Sequence, residues 1–163
     1  MIPEKVINAL RWITEILNRK QIPYQISGGF AAHLYGANRP INDIDIDIPE
    51  DSFLEIMDEV RPFITDELQQ YKDEKWDLQI MTLNYYDQEI DISGAYNGKV
   101  SNKQGTEWVP VVVDFSSSQK INVEGIFVNV ASPEKMIEYK QHLNGNHQIE
   151  DIKAMQHYIE SNN

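Results

Sequence analysis

The sequence contains no cysteine. Disulfide cross-links and thiolate metal sites are thereby excluded. Basic residues are scarce: 14 Lys and Arg stand against 26 Asp and Glu, a formal net charge of −12. A general nucleic-acid binder needs a basic face to meet phosphates, so none is expected here. The balance favours cationic or metal-bridged partners instead. No apolar run approaches the roughly 20 residues of a membrane span. The start, MIPEKVINALRW, carries acid and base early and lacks the apolar stretch of a signal peptide. No membrane association is expected, and the cytoplasm is the expected compartment. The histidines His33, His142, His147 and His157 lack zinc-like spacing with a second ligand pair, and His33 reads as packing. Internal repeats and low-complexity segments are also missing.

The length suits a single domain over 1–163, with an α/β core over about 1–131 and C-terminal helices over about 132–163. Val6, Ile7, Leu10, Ile13, Ile16 and Leu17 recur at helical spacing and predict an amphipathic first helix. YQIS at 24–27 reads as a short strand, FAAHLYG as a short helix capped at Gly36, and DIDIDI at 43–48 as a strand. A helix is expected from about residue 50, mixed helix and loop over 65–76, and strands over 78–86 and 89–93 joined at Asp87-Gln88. Residues 94–105 read as a loop, 108–115 and 121–130 as strands. Ser132-Pro133 starts a helix, and a last helix over about 147–161 places Ile149, Ile152, Met155 and Ile159 on one face. The expected class is α+β, a mixed sheet flanked by helices.

Two features carry chemistry. In a strand, residues i and i+2 share a face about 6–7 Å apart. Asp43, Asp45 and Asp47 therefore line one face, and Ile44, Ile46 and Ile48 the other. The isoleucine face must be core. Three carboxylates so close raise one another's pKa unless a cation joins them, and magnesium is the natural guest. Upstream, Ser27-Gly28-Gly29 follows a strand and opens a helix. Glycines there let a backbone approach phosphate closely, and the helix start offers free N–H groups. Taken singly, a tight turn explains the glycines and a solvated face explains the aspartates. Their order and spacing together make a more specific pattern.

SGGFAAHLYGANRPINDIDIDI resembles the signature of the nucleotidyltransferase (polymerase-β-like) superfamily, in particular the small lincosamide- and aminoglycoside-type antibiotic nucleotidyltransferases. Arg39 holds the place of their arginine four residues before the first aspartate. The family sets a third carboxylate on a later strand: Asp91 in EIDIS is the preferred match, and Asp114 in VVVDF is its rival. The stretch INVEGIFVNVASPEKMIEYK is also similar. The sequence departs from many relatives at Ile41, where they carry Thr or His, and at NGNHQIED, where they often carry an arginine and a lysine.

The resemblance implies transfer of a nucleoside monophosphate from an NTP to a hydroxyl of a small acceptor, such as an antibiotic or aminosugar. It implies two magnesium ions on Asp43, Asp45 and Asp91, with Asp91 also serving as base. Ser27, Gly28 and Gly29 would contact the triphosphate. Arg39 has two readings, a phosphate contact or a salt bridge holding its loop. Lys140 likewise reads as a phosphate contact or as part of a solvated helix face. Asp47 reads as structural, and Trp76, Trp108, Tyr85 and Tyr86 as packing or acceptor contacts. Lincosamide-type relatives often form dimers, so the analogy admits a homodimer. Two alternatives keep the fold: a protein-modifying nucleotidyltransferase of the toxin–antitoxin kind, and a non-catalytic binding module.

Overall fold

The structure is a computed structural model that describes residues 1–162. Its elements are α1 (Glu4–Arg19), β1 (Gln25–Ser27), α2 (Gly28–Leu34), β2 (Asp43–Ile48), α3 (Phe53–Val60), β3 (Ile64–Lys72), β4 (Trp76–Tyr85) and β5 (Gln88–Gly94). There follow β6 (Gly98–Ser101), β7 (Trp108–Val111), β8 (Gln119–Val123), β9 (Ile126–Val130), α4 (Pro133–Lys140) and α5 (Asn146–Ser161). This is the expected α+β class. The strands form one mixed sheet in the order β7-β6-β4-β5-β2-β1-β9-β8, and β3 pairs with β4.

The DIDIDI alternation folds as expected into a strand. β2 lies inside the sheet, antiparallel to β1 and parallel to β5. Ile44, Ile46 and Ile48 are fully buried, together with Ile26, Ile90, Ile92, Met81 and Leu83. Leu10 and Ile13 of α1, Phe30 of α2, and Phe53 and Ile56 of α3 complete that core. Burial of each such side chain contributes about 1.5–3 kcal/mol. Hydrogen bonds on both edges and isoleucines beneath hold the backbone of the aspartate row in place. Gly36 ends α2 as expected: its N–H and that of Ala37 return to the His33 and Ala32 carbonyls, a Schellman closure.

Three expectations need correction. Residues 64–72 form a strand, not mixed helix and loop. β3 pairs only with β4 and carries register shifts between Ile64 and Asp66 and between Asp66 and Gln69. Those irregularities break the period of two, so its two half-buried apolar residues, Ile64 and Leu68, fall four apart and mimic a helix. Residues 98–101, read as loop, form β6, whose pairing with β4 and β7 comes from tertiary contact. The β4–β5 hairpin turns at Tyr86-Asp87 and not at Asp87-Gln88. Both turn residues have positive φ, and the Asn84 side chain accepts from the Asp87 N–H at 3.0 Å.

The last helix also differs. Ile149 is 53% exposed, and the residues α5 buries are Asp151 and Met155. A carboxylate therefore faces inward where an isoleucine stripe was expected. Lys75 ties this end of the molecule to the β6 side: its ammonium donates to the carbonyls of Ser101 (3.0 Å), Asn102 (3.3 Å) and His142 (2.7 Å). Among the described residues, no helix is long and apolar enough to cross a membrane.

Candidate active site

The strand registers assemble the site. Asp45 of β2 stands opposite Ser27 of β1 on one side and Asp91 of β5 on the other. Asp47 stands opposite Gln25 and Ser93. One carboxylate oxygen from each of Asp43, Asp45 and Asp91 lies within 4.8 Å of the other two. Oxygens that share one magnesium at about 2.0–2.1 Å stand up to about 4.2 Å apart. The triad therefore fits a hard divalent ion after a small closure. A set of carboxylates without thiolate or imidazole suits magnesium or a similar ion.

The electrostatics fit the same ion. Burial raises the Asp45 carboxyl well above the usual carboxylate range, and Asp43, Asp91 and Asp47 push it further while Lys140 opposes. Burial raises Asp91 to about 7; the Thr82 hydroxyl, donating at 2.8 Å, opposes this and Asp43 adds to it. Asp47 is raised to about 6 by burial, against donors from Gln25 (2.9 Å) and Ser27. A bound cation would relieve this crowding.

A pH dependence follows from these shifts. These carboxyls hold protons in the folded state at pH values where the unfolded chain has released them. Their contribution is fully present below about pH 4 and is lost as pH rises through about 6 and about 7. Without divalent ions, the melting temperature is expected to fall between pH 5 and 8 by a few degrees. Saturating magnesium is expected to restore most of that loss, and to bind more tightly at pH 8 than at pH 6 because protons compete for the same oxygens. Thermal scans over that range with and without magnesium check this; magnesium-independent curves would contradict it.

The glycine turn is built against the aspartates. Gly28 has φ +65°, and a Cβ there would lie 2.0 Å from Asp45 Oδ2. A side chain at position 28 is excluded by backbone conformation and by space. A Cβ on Gly29 would lie 3.1 Å from the Arg39 guanidinium. Arg39 thus lies over the first turn of α2. The Tyr139 hydroxyl, raised by burial and by Asp47 and Asp45, stays protonated beside these carboxylates.

Ser27, Gly28, Gly29, Asp45 and Asp47 line a cavity of about 570 Å³. That lies within the range of about 300–1,000 Å³ typical of small-ligand sites. Its apolar wall includes Trp76, Leu78, Ile80, Val109 and Val111. Trp76, Leu78, Ile80 and Thr82 alternate along β4 and so share one face. An apolar strip therefore leads along the strand to Thr82 and Asp91. Trp76 is thus a cavity residue. Tyr85 instead stacks on Trp12 at 4.3 Å, and Tyr86 packs against both Tyr85 and Phe63. Trp108 is 37% exposed on β7, with the Lys72 ammonium over its ring.

Arg39 and Lys140 also line the cavity, and a residue not anticipated from the sequence pairs with both from behind the cavity lining. Asp151 Oδ2 accepts from Arg39 and, at 3.1 Å, from the Lys140 ammonium. Lys140 donates in addition to Gln148 Oε1 at 3.0 Å. Lys140 is only 3% exposed, so the solvated-face reading of this residue is overturned. Asp114 also lines the cavity but stands apart from the triad. It caps the 3₁₀ turn at 115–117, accepting from the Ser116 N–H (3.1 Å) and hydroxyl (2.6 Å). Thr82 and Asp151 were both missed from sequence. Thr82 carried no local signal, whereas an acid four residues before a buried Met155 is one that helical spacing can show.

No family model and no curated protein matches this sequence. Solved structures do match. A provisionally assigned nucleotidyltransferase from Thermotoga maritima superposes with a TM-score of 0.75 at 20% identity, over 99% of this chain and 96% of that one. The lincosamide antibiotic adenylyltransferase LnuA, with lincomycin bound, gives 0.61 at 14% identity over 95% of this chain and 97% of that one. ANT(2″)-Ia in complex with adenylyl-2″-tobramycin gives 0.64 at 15% identity, over 96% of this chain and 90% of that one. At these identities the likeness is one of fold, and it runs nearly end to end: the chain has the nucleotidyltransferase fold.

Proposed function

We propose that the protein transfers a nucleoside monophosphate from an NTP to a hydroxyl of a small-molecule acceptor. The observation that carries this reading is the convergence of Asp43, Asp45 and Asp91, with Asp45 lining a cavity that also holds the Gly28-Gly29 turn. The triad would hold divalent metal, which would supply positive charge to offset the triphosphate and the charge developing at the α-phosphorus. Gly28 and Gly29 present backbone without side chains to the phosphates, and Arg39 and Lys140 supply positive charge beside them. Asp91 accepts the proton of the acceptor hydroxyl. The acceptor oxygen forms a bond to the α-phosphorus, the bond from that phosphorus to the bridging oxygen breaks, and pyrophosphate leaves with the electron pair. The chain's residues mainly hold reactants in line and balance charge.

The apolar strip of Trp76, Leu78 and Ile80 is the surface offered to the acceptor's body. LnuA and ANT(2″)-Ia, whose structures hold an antibiotic and an adenylylated antibiotic, support a small hydroxylated acceptor of antibiotic or aminosugar type. The test is pyrophosphate release with magnesium and each of the four NTPs, over a panel of aminoglycosides, lincosamides and sugars. Turnover with one nucleotide and one acceptor, giving a product heavier by one nucleoside monophosphate, is the expected result. Absence of both pyrophosphate release and magnesium-dependent nucleotide binding would overturn the reading.

A further inference from the structure

We propose that Asp151 is the positioning residue of the triphosphate subsite, holding Arg39 and Lys140 together at the cavity wall. This rests on the NTP reading above. Asp151 is fully buried on α5, and one of its oxygens, Oδ2, accepts from both cations. Its other oxygen, Oδ1, is buried without a hydrogen-bond partner among the described residues. A buried carboxylate so placed is costly unless charge compensates it, and here two cations from distant parts of the chain do so. Without an anion between them, the guanidinium and the ammonium would repel and separate.

The arrangement aims them at the cavity. Arg39 lies over the Gly29 backbone, and Lys140 is fixed between Asp151 and Gln148. An ammonium has three donors, of which these two partners use two. Two cations against one anion leave a net positive charge beside Gly28 and Gly29, close to the acidic row of Asp45 and Asp47. A polyphosphate can meet that charge while the triad would hold the divalent metal that accompanies it. Asp151 brings together cations from the α2–β2 loop and from α4. The last helix thereby becomes part of nucleotide recognition without offering a phosphate contact of its own from Asp151.

The experiment is calorimetric titration of magnesium tripolyphosphate and of each magnesium NTP into wild type, Asp151→Asn, Lys140→Met and the double variant, with thermal unfolding of the same samples. Asp151→Asn is expected to weaken tripolyphosphate binding about tenfold or more, the effect of losing one charge-assisted bond. Lys140→Met is expected to weaken it similarly. Adding Asp151→Asn to Lys140→Met should cost far less than it costs in wild type, a coupling that general destabilisation would not produce. Tripolyphosphate affinity of Asp151→Asn within twofold of wild type overturns the proposal, as does full additivity of the two losses. If Asp151→Asn does not fold, Arg39→Met, Lys140→Met and their double variant decide: losses well short of additive uphold the coupling through Asp151, and full additivity overturns it. Wild type that binds tripolyphosphate through this cluster yet releases no pyrophosphate from any NTP overturns the transfer reading and leaves the subsite standing. Transfer that persists in Asp151→Asn with unchanged KM for the NTP overturns the role of Asp151 alone. Wild type that binds neither probe overturns both.

Discussion

Asp45→Asn is expected to abolish magnesium-dependent nucleotide binding, lower transfer at least ~10³-fold, and raise the melting temperature. The two effects have one cause. Asp45 has a carboxylate oxygen within 4.8 Å of those of Asp43 and Asp91, is half-buried, and is the member of the triad that also lines the cavity. Its charge is costly to the folded apo protein and useful only when a cation arrives. Removing it deprives the metal of a central ligand, a contribution of several kcal/mol to transition-state stabilisation. It also relieves repulsion and desolvation. At pH 8, above the pKa of about 7 for Asp91, a gain of about 1 kcal/mol would raise the melting temperature by about 2–4 °C in a chain of this length. Calorimetry with magnesium and nucleotide, steady-state rates and thermal scans measure the three outcomes. A variant that keeps both binding and turnover would sink the metal reading, whatever its stability.

The second large effect belongs to Gly28. Gly28→Ala places a methyl group 2.0 Å from Asp45 Oδ2 at a φ of +65°. The backbone conformation alone costs about 1–2 kcal/mol for a residue with a Cβ. The clash adds displacement of the Asp45 carboxylate or of the α2 turn. Misplacement by about 1 Å can cost ~10²-fold in rate, so turnover is expected to fall by at least that factor. Gly105→Ala is the matched control, since Gly105 has a φ of +73° and, among the described residues, nothing within 4 Å of its added Cβ. The control should lose a similar backbone increment of stability and keep its activity. Equal turnover in the two variants would show that the contact between the glycine turn and Asp45 is unimportant.

The fold was readable wherever local pattern and tertiary environment agree. The first helix buries the same apolar residues that its spacing picked out, and DIDIDI is a strand because its isoleucines fill the core beneath it. The Gly-Gly turn opens α2 as its position after a strand implied. Reading failed where an element owes its form to its neighbours. β3 has a broken alternation, and β6 is short and glycine-led, so neither advertises itself. In α5 Met155 is buried as its spacing implied, but Ile149 is exposed and Asp151 takes the inward place, because a carboxylate compensated by two cations can be buried in place of an apolar residue.

The same division runs through the site. The aspartate row and its glycine partner are neighbours in sequence, and strand periodicity alone puts Asp43 and Asp45 on one face. Asp91 and Asp114 looked alike as acids in apolar stretches. The parallel pairing of β5 with β2 sets Asp91 opposite Asp45, while Asp114 is spent capping a turn. The union of Arg39, Lys140 and Asp151 lay further still from local pattern, since it joins a loop and two helices distant in sequence. Period and turn chemistry act over a few residues, so one strand's faces can be read from its letters. Which strands lie side by side, and which buried charges meet, follows from closing the whole sheet and docking the last helix, and no local stretch contains it.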